Sequence, residues 1–173
     1  MTNHELRDYI RDVPDFPKPG IVFKDITPLL RTPEALEAAI HGLTEPYRDQ
    51  RISHIVAIES RGFIFGSCVA RSLGAGFVPI RKPGKLPWTT RRNEYKLEYG
   101  SDVLEIHDDA LSADDRVVII DDVLATGGTL AAAITLVREF DAHLVGAATV
   151  IELSFLDGRR KIGDTVFHSV LSY

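Results

Sequence analysis

The chain has 173 residues, 45% apolar and 26% charged, which suits a single globular domain with a real core and excludes a disordered or fibrous segment. Its formal net charge of -5 argues against a nucleic-acid surface as its main role. No apolar stretch approaches the roughly 18 residues that would span a bilayer. Cys68 is the single cysteine, so no intrachain disulfide can form. His4, Glu5, Asp8 and Asp12 stand where a signal peptide would be apolar, and the expected compartment is the cytoplasm.

In chain order, Leu6, Ile10 and Val13 recur at helical spacing after Asn3, which predicts a short opening helix. Pro14, Pro17 and Pro19 then impose an extended path. Thr32-Pro33-Glu34 is a helix start, with Leu36, Ile40, Leu43 and Tyr47 as its expected buried stripe. His54 to Ile58 reads as a central strand, Gly62 to Leu73 as a helix closed by Gly74, and Phe77 to Ile80 as a strand. Pro87 to Glu98 lacks periodicity and reads as a long loop. Val103 to His107 and Val117 to Asp121 read as strands, Thr129 to Phe140 as a helix, and Leu144 to Ile151 and Val166 to Val170 as strands. Strands alternating with helices predict an α/β fold: a twisted, mainly parallel sheet flanked by helices.

The run from Val117 to Thr129 is the most informative. Val117-Val118-Ile119-Ile120 is β-branched throughout, as a strand buried on both faces requires. Asp121 and Asp122 follow, then Ala125-Thr126-Gly127-Gly128-Thr129, a small-residue loop opening a helix. Backbone N–H groups converging at a helix N-terminus favour phosphate, whereas adjacent carboxylates favour sugar hydroxyls. Together they describe a site for a ribose phosphate. No lysine follows the glycines as in a Walker A loop, and Gly74-Ala75-Gly76 falls between helix and strand, the wrong order for a dinucleotide turn. Consecutive residues on a strand point to opposite faces, so Asp121 and Asp122 are not expected to share a proton.

This run resembles the phosphoribosyl-pyrophosphate motif of the type I phosphoribosyltransferases, in particular the adenine-using branch. The likeness continues through Asp15-Phe16-Pro17-Lys18-Pro19-Gly20-Ile21-Val22-Phe23-Lys24-Asp25-Ile26, Glu59-Ser60-Arg61-Gly62-Phe63, Ile80-Arg81-Lys82-Pro83-Gly84-Lys85-Leu86-Pro87 and Leu97-Glu98-Tyr99-Gly100, in that order along the chain. It implies a type I phosphoribosyltransferase fold over residues 1–173 as one domain, about residues 1–30 forming a small base-binding hood. It also implies transfer of the phosphoribosyl group to adenine, giving AMP and pyrophosphate, in a homodimer that binds neither nucleic acid nor membrane.

The resemblance distributes roles. Ala125, Thr126, Gly127, Gly128 and Thr129 would hold the 5′-phosphate, and Asp121 and Asp122 the ribose hydroxyls. Ser60 and Arg61 would hold pyrophosphate, with unusual backbone geometry around Glu59 and Ser60. Arg81, Lys82 and Lys85 would complete that clamp, and Arg91 and Arg92 extend the basic cluster. The backbone of Val22 and Lys24 would read the edge of adenine while Phe23 stacks on it and Leu153 closes the other face. Glu98, beside Tyr99 at the end of a mobile lid, is the candidate acid–base residue. Mg²⁺ would arrive on phosphoribosyl pyrophosphate, with no dedicated protein cage. Val150-Ile151-Glu152-Leu153 carries no lysine to meet a 6-oxo group, which favours adenine. The alternatives are a transferase for another purine such as xanthine, and a non-catalytic regulator that senses phosphoribosyl pyrophosphate while binding RNA or DNA. The acidic chain lacks the basic face such a regulator needs.

Overall fold

The first apolar residues do not form the single helix their spacing suggests. In the computed structural model, which describes residues 3–96 and 101–173, α1 (Asn3–Arg7) ends early. Val13 lies instead in β1 (Arg11–Pro14), paired antiparallel with β2 (Val22–Asp25) so that Val13 faces Phe23. The reason is local: the residue before a proline is driven out of the helical region, and Val13 precedes Pro14. After α2 (Thr27–Arg31) comes α3 (Pro33–Thr44), which opens on its proline as expected. Of the predicted stripe, Leu43 and Tyr47 are buried, whereas Leu36 and Ile40 are half-buried and Ala35 and Ala39, one residue earlier, take the buried places. Met1–Gly42 and Leu43–Tyr173 form two compact units.

In the second unit the predicted α/β sheet is present. β3 (His54–Ile58) leads through α4 (Gly62–Leu73) to β4 (Gly76–Ile80). An antiparallel arm follows, β5 (Thr90–Lys96) with β6 (Ser101–His107). Then β7 (Arg116–Leu124) leads through α5 (Gly128–Arg138) to β8 (His143–Glu152), and α6 (Arg159–Ile162) precedes β9 (Phe167–Ser172). The main sheet has the order β4-β3-β7-β8-β9 and all its pairings are parallel. Val117, Val118, Ile119 and Ile120 are fully buried at its centre. Helix α4 packs on β3, β4 and β7, while α5 packs on β7, β8 and the arm. Leu104 and Ile106 of the arm join Val56, Ile58, Ile119 and Leu130 in one apolar cluster.

The arm corrects the reading of Pro87 to Glu98 as a loop. Thr90-Arg91-Arg92-Asn93-Glu94-Tyr95-Lys96 has no apolar alternation, because β5 is held by its backbone ladder to β6. β6 carries the buried Leu104, Glu105 and Ile106, and Tyr95 of β5 packs half-buried against the same cluster.

The topology positions the site. From β3 the chain crosses to one side of the sheet, and from β7 it crosses to the other. Where neighbouring parallel strands diverge in this way, a crevice opens beyond their carboxyl ends. That crevice is entered by Glu59–Gly62 after β3 and by Ala125–Thr129 after β7.

Candidate functional site

A cavity of about 300 Å³ fills the crevice, lined by Glu59, Ser60 and Arg61 from one loop and by Asp121 through Leu130 from the other. The structure therefore brings Ser60, Arg61, Asp121, Asp122, Ala125, Thr126, Gly127, Gly128 and Thr129 to one surface.

The Ala125–Thr129 side carries no formal charge. Gly127 adopts φ +81, a left-handed conformation that L side chains rarely take, and sets the turn into α5. The first regular helical bond runs from Ala131 N–H to Gly127 C=O, 2.9 Å. The amides of the first turn have no partner inside the helix and suit an anion. Tyr95 Oη lies 3.2 Å from Thr129 Oγ1 and fixes the position of that hydroxyl.

Asp121 and Asp122 are 9% and 5% exposed. Asp122 N–H donates to Asp121 Oδ1 at 2.9 Å, which curls Asp121 back toward its neighbour. The bond is to the backbone N–H of Asp122, and the two neighbouring carboxyls also act on one another by charge. Burial, then the charge of Asp122, pushes Asp121 well above the usual carboxylate range. Burial also raises Asp122, against the opposing pull of Arg61, whose Nε is 2.9 Å from Asp122 Oδ2. The approach of α4 is tight here: a Cβ at residue 62 would lie 2.8 Å from Asp121 Oδ1.

The Glu59–Gly62 side is charged. Its Glu59–Ser60 peptide is cis, the unusual backbone geometry that the resemblance implied. Arg81, Lys82 and Lys85 do not line the cavity; they gather around Glu59, whose side chain is only 7% exposed. Arg81 Nε is 2.7 Å from Glu59 Oε2, Lys85 Nζ is 3.4 Å from Oε1, and Lys82 N–H donates to Oε1 at 2.9 Å. Burial would raise the Glu59 carboxyl, but these bonds and charges together hold it below its usual range. The Lys82 ammonium pairs with Asp102, which raises the lysine's pKa. Sequence reading quoted Glu59 within a motif without giving it a role, and it missed Asp102 and Tyr95 altogether. A glutamate that pairs with two cations and accepts a backbone N–H from a third residue has no local signature, since the loop after β4 brings those partners in.

Arg91, Arg92 and Leu153 do not line this cavity. Arg91 stacks on Phe140 with Cζ 3.9 Å from the ring centroid, and Arg92 Nε is 2.7 Å from the buried Glu105 Oε1. Both serve the arm. Leu153 is half-buried, and its N–H donates to Leu124 C=O at 2.9 Å. Val22, Phe23 and Lys24 belong to β2 in the first unit. Phe23 meets Phe16 edge to face at 5.3 Å, and Lys24 Nζ is 2.6 Å from Asp12 Oδ1. Glu98 and Tyr99 lie outside the described residues.

The family model of the phosphoribosyl transferase domain matches residues 26–168. The adenine phosphoribosyltransferase of Acaryochloris marina is 54% identical over 169 residues, 98% of this chain and 99% of that one. The structure of the Rhodothermus marinus adenine phosphoribosyltransferase superposes with a TM-score of 0.94 at 52% identity, covering 99% of this chain and 98% of that chain. The Saccharomyces cerevisiae enzyme, complexed with an imino-altritol bisphosphate and adenine, superposes at 0.92 with 42% identity over 98% of both chains. The chain belongs to the phosphoribosyltransferases and, within them, to the adenine phosphoribosyltransferase family.

Proposed function

We propose that this protein transfers the 5-phosphoribosyl group of Mg²⁺-bearing phosphoribosyl pyrophosphate to adenine, giving AMP and pyrophosphate, a purine-salvage reaction. The observation that carries the reading is one cavity with uncharged phosphate-type donors on one wall, Arg61 on the other and a buried carboxylate pair between. The anomeric C–O bond to pyrophosphate breaks as the bond to adenine N9 forms, through a cation-like sugar. Ala125–Thr129 fixes the 5′-phosphate, which does not react. Asp121 and Asp122 accept from the 2′- and 3′-hydroxyls and stabilise positive charge on the ring. Ser60 and Arg61, backed by Arg81, Lys82 and Lys85, take up the charge that grows on the departing pyrophosphate. Glu98 is the candidate to receive the N9 proton, with Tyr99 beside it.

For the base, we assign Val22, Phe23 and Lys24 to recognition, with residues 1–30 as the hood of one catalytic domain and Leu153 on the opposite face. A backbone carbonyl that meets the base accepts from an amino group and repels a 6-oxo group. The yeast relative, which is complexed with adenine, supports the same choice. We also propose a homodimer, supported by the exposed apolar Ile64 and Phe77, and a cytoplasmic location. Among the described residues no helix is long and apolar enough to cross a membrane.

The test is base competition with phosphoribosyl pyrophosphate and Mg²⁺. Adenine should be used at least about 10³-fold better than hypoxanthine, guanine or xanthine in kcat/KM, by the mismatch of buried hydrogen-bonding groups. Comparable turnover of a 6-oxopurine would remove the adenine assignment. Sedimentation of the free protein tests the dimer.

A further inference from the structure

The Ala125–Thr129 loop meets its phosphate with backbone and hydroxyl groups alone, so its grip depends on the directions of its amides. Those directions need a support, and the structure supplies one at a residue the sequence reading did not single out. After β8 the chain turns through residues 154–156 and Asp157, which has φ +51, and reaches the buried Gly158. There the two backbones touch with nothing between them. A Cβ at residue 158 would lie 2.2 Å from Ala125 C=O and 3.1 Å from Gly127 N, and one at residue 127 would lie 2.3 Å from Gly158 C=O.

The next residue ties this contact to the sheet. Arg159 forks onto Glu152 at the end of β8, with Nε 2.6 Å from Oε1 and Nη2 2.7 Å from Oε2. Ser169 Oγ of β9 donates to Glu152 Oε2 at 2.9 Å, and the guanidinium lies 4.8 Å from the Phe167 ring centroid. A planar bidentate pair of this kind fixes geometry as well as charge. Glu152 is 5% exposed, and the bond from Arg159 holds its carboxyl below the usual range.

We propose that Gly158 is a positioning residue for the 5′-phosphate, holding Ala125–Gly127 from behind, and that the Arg159–Glu152 fork anchors it to β8 and β9. The proposal rests on the reading that Ala125–Thr129 grips the 5′-phosphate. It assigns these residues no contact with substrate. Their effect should be confined to ligands that carry a 5′-phosphate, because the backbone that Gly158 meets is that of Ala125 and Gly127.

The test measures binding of ribose 5-phosphate and of pyrophosphate separately by calorimetry, together with steady-state kinetics. Gly158→Ala should weaken ribose 5-phosphate about tenfold or more, the worth of one charge-assisted hydrogen bond, and raise KM for phosphoribosyl pyrophosphate in step. Pyrophosphate affinity and kcat should stay as in the wild type. Should Gly158→Ala not fold, Arg159→Lys decides: it keeps the charge, loses the fork, and should show the same split with a smaller loss. Arg159→Met should then be no better than Arg159→Lys, since the fork rather than the charge is at stake. Unchanged ribose 5-phosphate affinity in folded Gly158→Ala, or a parallel loss of both ligands, would overturn the proposal. Wild-type protein that binds no ribose 5-phosphate, or binds it equally well after Thr126→Ala and Thr129→Ala together, would instead remove the reading of the loop itself.

Discussion

The two loops that face each other across the crevice occupy equivalent places, each leaving a central parallel strand for a helix, yet they are built from opposite materials. Ala125–Thr129 has no charged side chain, takes its shape from Gly127 and is backed by Gly158. Glu59–Gly62 carries an arginine and a buried glutamate and is surrounded by further cations. Fixed dipoles suit a phosphate whose charge is the same before and after reaction. Cations held in place by carboxylates suit a leaving group whose charge grows in the transition state, where preorganised stabilisation counts most. Symmetry of position therefore does not mean symmetry of task.

The comparison breaks most sharply at Arg61. Arg61→Ala should lower kcat about 10²–10³-fold, as loss of one well-placed donor to developing charge does, with ribose 5-phosphate affinity preserved. A change in KM alone would make the arginine an ordinary binding group. Asp122→Asn comes next. It removes a charged acceptor worth roughly 1.5–3 kcal/mol, so kcat/KM should fall by about one to two decades. Retention of full activity in the Asp121→Asn, Asp122→Asn double variant would end the ribose role. Thr129→Ala sharpens the other side: one neutral hydrogen bond, about 0.5–1.5 kcal/mol, should raise KM for phosphoribosyl pyrophosphate roughly 2–10-fold and leave kcat alone.

The smallest effect is on stability. Asp121 titrates higher in the folded protein than its ordinary value of 3.8. Between those two values the folded state binds more protons than the unfolded one, so this group's contribution falls as pH rises through that window. Asp121→Asn should therefore raise Tm at neutral pH relative to wild type and lose that advantage near pH 4, by about 2–4 °C for each kcal/mol removed. Thermal unfolding of both proteins across pH measures the sign, and a variant less stable at neutral pH would contradict it.

Much of this was legible in the chain. Val117–Thr129 announced the buried strand and the glycine turn into a helix because each depends on local backbone preference. Helices α4 and α5 followed from glycines and apolar spacing. What escaped depended on distant partners. Val13 left its helical spacing because Pro14 follows it and Phe23 pairs with it. The polar β5 was invisible to periodicity because backbone bonds to β6 hold it. Glu59 and Gly158 took on their roles only when the sheet brought β4, β7 and β8 to one end.

The cations proposed for the clamp have anionic partners: Arg61 with Asp122, Arg81 and Lys85 with Glu59, Lys82 with Asp102. Such a pocket works like a loaded ion exchanger. An incoming anion must displace resident carboxylates, and a monovalent ion such as chloride offers no more charge than the group it would replace. A diphosphate bearing Mg²⁺ offers several charges in one rigid body and displaces several partners at once. On the proposed reading, the pocket would select by valence before it meets a base.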